Sequence, residues 1–187
     1  MTLTLGMVQD EEAQHFSSWV FNALKMLEDE DIEIIIVGGA QEYRRHAAAM
    51  RLVCPVTFVD LPKTRPELDA LYSKFDIFIH GSHAGETNFE YLYLAQEHGV
   101  PIVSHFAADQ VVFENGKVLD RNAHFSIIGE SGVVHGHYHC YIFEIWNLLH
   151  HEKYREWRSK KSRLTFEIRN PSATSLEKED WLDEWMK

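Results

Sequence analysis

No apolar run in this chain approaches the ~20 residues that a membrane-crossing helix needs, so membrane insertion is not expected. Cysteine is nearly absent. Cys54 and Cys140 cannot form a disulfide framework, which points to a reducing compartment and a cytoplasmic location. Positive charge is scarce: 18 Lys and Arg stand against 29 Asp and Glu, a formal net charge of −11. That excludes binding to nucleic acid or anionic lipid through a broad basic surface. The opening MTLTLGMVQDEE has no basic flank before its apolar stretch and does not read as a secretory signal. Internal repeats and low-complexity tracts are also missing. What remains is a chain of 187 residues, 45% hydrophobic and 12% aromatic, enough for one well-filled core. The expected organisation is one domain over 1–170 and a C-terminal helix over 171–187 that packs back on it.

Apolar runs alternate with helical spacing along most of the chain. Leu3–Val8 reads as a strand, and Phe16, Val20, Ala23, Leu24 and Leu27 form one stripe of a helix over Asp10–Glu28. Ile32–Val37 is β-branched and nearly continuous, the pattern of a strand buried on both faces, and Gly38-Gly39 closes it. An alanine-rich helix over Gln41–Leu52, a strand over Val56–Val59 and a short helix over Glu67–Phe75 follow, with Pro66 suited to the helix start. Glu114-Asn115-Gly116 is a tight-turn signal between two short apolar runs, and His124–Ile128 is another such run. Tyr138–His151 reads as a long helix that either continues through Arg163 or breaks near Ser159. Ser175 suits an N-cap for a last helix with Trp181, Leu182 and Trp185 on one face. Strand–helix alternation with apolar early strands predicts an α/β fold: a doubly wound, mostly parallel, Rossmann-like sheet with helices on both faces.

The stretch Asp76–Ser104 carries the candidate site. It reads as strand (Asp76–His80), loop (Gly81–Gly85), helix from Glu86, then a Gly99-Val100-Pro101 stop and a second strand. In open parallel sheets ligands bind at the carboxyl ends of strands, where this loop lies. The helix start offers free amides and a positive dipole end, suited to phosphate. Among the 12 histidines, His135, His137 and His139 with Cys140 raise a metal site, but helix from Tyr138 onward scatters them and no metal is expected. His80, His83 and His105 stand near the same strand ends and either face one crevice or are ordinary polar loop residues. The basic run Lys153–Arg163 alternates with Glu and polar residues and reads as a solvated helix face.

The order IIIVGGAQEYRRHAAAMRL, VTFVDLPKTRPELDALYSKFDIFIHGS and HGVPIVS resembles the carboxyl-terminal domain of group 1 retaining glycosyltransferases. YIFEIWNLLHHEKYREWRSKKSRLTFE is similar to that family's late helix pair, and DWLDEWMK to its last helix. The resemblance implies one half of the GT-B fold, a domain that binds a nucleotide-sugar donor as substrate, with no cofactor and no metal. Its signature is two glutamates with seven residues between them. Glu86 falls on the first, which faces the donor sugar, and Leu94 occupies the place of the second, which holds the nucleotide ribose. Glu90, one turn after Glu86, is a candidate displaced partner. Gly38 and Gly39 either cradle a phosphate or let the chain turn. Ser82, His83, Gly85, Thr87 and Asn88 form the loop that would meet the donor, or cap the helix. The family's Arg and Lys after the first strand are replaced by Gln9–His15, which has no cation. The acceptor-binding half is not in this chain, so a partner subunit or homo-oligomer is expected to complete an active site.

Two other readings compete. GETNFEYLYLAQEHGVPIV also resembles the segment of nucleoside deoxyribosyltransferases that holds their nucleophilic glutamate, which would be Glu90. A carboxylate nucleophile at a sugar carbon is sound chemistry, but the spacing from Glu90 to Gly99 is one residue longer than in that family. A non-catalytic binding or assembly module is the third reading, favoured by the missing cations, the missing second glutamate and the missing half.

Overall fold

The computed structural model describes residues 2–9, 18–39, 41–81, 90–105, 113–114, 117–118, 127–135 and 137–170. Its elements are β1 (Leu3–Gln9), α1 (Ser18–Met26), β2 (Ile32–Gly38), α2 (Gln41–Ala49), β3 (Val56–Val59), α3 (Arg65–Tyr72), β4 (Ile77–His80), α4 (Glu90–Glu97) and β5 (Ile102–His105). After the short strands β6 (Phe113–Glu114) and β7 (Lys117–Val118), a 3-10 turn at Gly129–Ser131 leads into β8 (Gly132–His135), α5 (Tyr138–His150) and α6 (Glu152–Arg169). Six strands form one sheet in the order β3-β2-β1-β4-β5-β8, and every neighbouring pair is parallel. β6 and β7 pair with each other, antiparallel, as the Asn115-Gly116 signal predicts. This is the doubly wound, Rossmann-like order, and its reversal point lies between β1 and β4.

Side chains alternate along each strand and so fill two cores. Leu5, Met7, Ile34, Ile36, Ile79 and Val103 face α1 and α5. Val8, Phe78 and Ile102 face the other way, onto Tyr72, Phe75, Tyr91 and Leu92 of the α3–α4 side. Gly99 takes φ +66, the left-handed cap expected at the end of α4.

Two sequence expectations are corrected. The long helix does not run past His151: its φ of −117° and ψ of 85° end α5 and start α6 at once. Arg155 holds the turn, donating to the carbonyls of Leu148 (2.7 Å) and Leu149 (3.4 Å) at the end of α5. The basic run is not simply a solvated face either. Arg158 reaches Glu144 and Gly132, Lys161 reaches Glu130, and Arg163 reaches Glu97 and Glu167. Only Lys153 and Lys160 among its six cations are exposed. The strand β8 has no clear sequence signal. The expected last helix and its 171–187 boundary lie outside the described residues, as do Asp10–Ser17 of the first helix.

Candidate functional site

The carboxyl edge of the sheet is lined by the ends of β1, β2, β3, β4, β5 and β8: Gln9, Gly38, Val59, His80, His105 and His135. Gly38 and Gly39 are buried and both left-handed, with φ 70° and 81°. A side chain at either place would strain the backbone, so the paired glycines are needed for the turn itself. Beside them Arg44 of α2 donates to the carbonyls of Gly38 and Val59 (3.3 Å each) and pairs with Asp60 (2.9 Å). Its guanidinium ties β2 to β3 at this edge.

Most of the expected donor loop, Ser82, His83, Gly85, Glu86, Thr87 and Asn88, lies outside the described residues. Its two anchors are described. Gly81 is buried directly after β4, and Glu90 is exposed as the first residue of α4. Glu90 also adds to the field on Tyr72, whose phenol is pushed well above its ordinary value, mainly by burial. That phenol donates to the carbonyl of Tyr91 (3.0 Å), which braces the first turn of α4 from α3. Leu94 is 3% exposed in the α3–α4 core. The position that holds a ribose-binding glutamate in the resembling family therefore offers only packing here. The segments that leave β1 and β4, 10–17 and 82–89, contain no Lys or Arg, whereas the segment that leaves β3 contains Lys63.

Of the three histidines expected near one crevice, the two described, His80 and His105, do not share a face. His80 Nδ1 lies 2.7 Å from Ser104 Oγ, its register partner on β5, and its ring contacts Tyr91 of α4. His105, one residue after Ser104, faces the opposite core and meets Tyr141 of α5 edge-on. Both are 1% exposed within strands, so neither is a loop residue. His83 lies outside the described residues. Sequence reasoning missed Ser104 as a partner, because the pairing rests on the register of β4 and β5. Among the described residues no cluster of His, Cys, Asp or Glu could hold a metal ion.

His135 is the register partner of His105. Desolvation lowers its pKa, with the Glu144 carboxylate opposing and Arg158 assisting. A histidine whose folded pKa is depressed favours the fold as the neutral ring. Stability is then fully present above the unfolded value near pH 6.5 and falls as the pH drops towards the folded value. Urea melts from pH 7.5 to 5 should show a smaller acid loss for His135→Gln than for the wild type; parallel curves would exclude His135 as the source.

No protein-family model matches the chain, and no curated protein matches it. Solved structures do. Anabaena Alr3699/HepE in complex with UDP superposes with a TM-score of 0.62 at 17% identity, over 90% of this chain and 44% of that one. WaaG, a glycosyltransferase involved in lipopolysaccharide biosynthesis, gives 0.65 at 14%, over 92% and 46%. A Thermobaculum terrenum O-GlcNAc transferase mutant gives 0.64 at 15%, over 89% and 32%. The chain thus spans less than half the length of these structures, and its fold is that of one half of a GT-B glycosyltransferase.

Proposed function

We propose that this chain is a donor-binding half of a retaining, metal-independent glycosyltransferase, completed by an acceptor-binding partner. The observation that carries this reading is the fold. A glycosyltransferase half-domain, similar to structures with UDP bound, presents its reversal point between β1 and β4 next to the Gly81–Glu90 connection. Ligands of open parallel sheets bind at that place. In this reading Glu86 orients the donor sugar, and amides near Gly39 and Thr87 stabilise the departing diphosphate. With Leu94 in the core, this reading assigns the ribose hydroxyl to Glu90, which is exposed at the start of α4. Because 10–17 and 82–89 carry no Lys or Arg, in this reading a partner supplies cations to the diphosphate alongside Arg44 at the edge.

The test is a thermal-shift series against UDP, GDP, ADP and their sugar conjugates, on the wild type and on Glu86→Ala. At 100 times the dissociation constant, a bound nucleotide-sugar stabilises the fold by ~2.7 kcal/mol. The expected result is a shift with one nucleotide family and a smaller shift for its sugar conjugate in the variant. If no nucleotide shifts the wild type, the domain keeps the fold without the donor site and the assembly-module reading takes its place.

A further inference from the structure

Resting on that donor-site reading, we propose that the buried pair His80–Ser104 is its positioning element. The pair would hold the end of β4, and so Gly81, in the place a bound nucleotide requires. His80 ends β4 and Ser104 sits opposite it on β5; they are 1% and 0% exposed, with Nδ1 and Oγ 2.7 Å apart. Two residues earlier on the same face the register pair is Phe78 and Ile102, both buried and apolar. The sheet therefore changes from an apolar to a polar pair at its last step before the carboxyl edge. Burying an imidazole and a hydroxyl costs desolvation that their hydrogen bonds offset, whereas two apolar side chains would fill the space without that cost. The bond does fix direction. It locks the ring of His80 between Ser104 and Tyr91, the second residue of α4. One imidazole thus fixes the end of β4 relative to the head of α4, the two anchors of the connection that would meet the donor. A displacement of about 1 Å at such an anchor is enough to lose binding or turnover by large factors.

The measurement is UDP affinity by calorimetry alongside thermal midpoints, for the wild type, Ser104→Ala, His80→Phe, the double variant and His80→Asn. Asparagine can place an amide near the position of Nδ1. Ser104→Ala and His80→Phe should each weaken UDP binding by roughly tenfold, and the double variant by about the same factor, because the two side chains act as one unit. His80→Asn should restore affinity to within about threefold of the wild type. Ser104→Ala and His80→Asn are small changes and carry the test if His80→Phe does not fold. A lowered thermal midpoint with unchanged UDP affinity in every variant would make the pair purely structural and overturn this proposal alone. If the wild type binds none of UDP, GDP and ADP, the donor-site reading and the proposal fall together; if it binds GDP or ADP instead, the same variants are read with that nucleotide.

Discussion

Gly132→Ala should destabilise the protein by about 3 kcal/mol and lower its thermal midpoint by roughly 10 °C. Gly132 opens β8 and pairs with Ile102 of β5. A Cβ added there would lie 1.9 Å from the carbonyl oxygen of Ile102 and 2.7 Å from its carbon. Both are backbone atoms of a central strand, so no side chain can swing away. The backbone at Gly132 is extended (φ −168°), a conformation open to any residue. The obstacle is space alone, and β8 must move outward by more than an ångström or leave its register. Because β8 is the edge strand that leads into α5, the loss should extend to α5 packing and appear as a lowered unfolding midpoint in urea. A variant with the wild-type midpoint would mean that β8 sits farther from β5 than described.

Glu144→Ala should cost about 3 kcal/mol, through the groups it leaves behind rather than through a lost surface ion pair. Glu144 lies on α5 with its side chain 10% exposed, opposite Arg158 of α6 at 17%. Its carboxylate accepts from the Tyr154 hydroxyl at 2.6 Å and lies 3.7 Å from the Arg158 guanidinium. Arg158 in turn donates to the Tyr154 hydroxyl (2.9 Å) and to the Gly132 carbonyl (3.4 Å), and stacks over the Tyr154 and Trp157 rings. Burial and the Glu144 carboxylate hold the Tyr154 phenol above its ordinary value, so it stays a donor across the working pH range. Removing the carboxylate strands a half-buried cation and a hydroxyl at once. Glu144→Gln, which keeps an acceptor for Tyr154, should cost roughly half as much. Equal midpoints for Glu144→Ala and wild type in chemical melts would show that water replaces the carboxylate without penalty.

The parts of the fold that were legible in the sequence are those where one force dominates. Ile32–Val37 can only be a strand, buried on one face and partly on the other where Glu33 is exposed, and Gly99-Val100-Pro101 can only end a helix. The doubly wound, parallel class followed from strand–helix alternation; the strand order came only with the structure. What stayed illegible depends on contacts between distant residues. Gly132–His135 is four residues long and only partly buried, so neither its length nor its polarity separates it from a loop. The break at His151 has no Pro or Gly; it is held by Arg155 reaching back to Leu148 and Leu149, which spacing alone does not reveal. His80 and His105 read as polar residues near a loop, because their burial comes from Tyr91 and Tyr141 on separate helices. At the candidate site, the replacement of a glutamate by Leu94 was visible from the motif. The pairing of His80 with Ser104 was not, since it needs the register of two strands.

The helix α6 crosses from the α5 layer to the α4 layer, and its ties lie at one end of the sheet. Ser159 bonds Gly99, Ser162 bonds Val100, Arg163 bonds Glu97, Arg158 bonds Gly132 and Arg169 bonds Ile127. Each of these partners stands at or before the amino end of β5 or β8, opposite the edge where ligands of such sheets bind. α6 thus fastens the domain at its base, away from the rim. Evolution can lengthen, shorten or recharge the rim loops to suit a new nucleotide, sugar or docking subunit while the fastening stays intact. Such a base lets specificity drift without first exhausting stability, and it fits a domain that shares a fold with several glycosyltransferases at identities of only 14–17%.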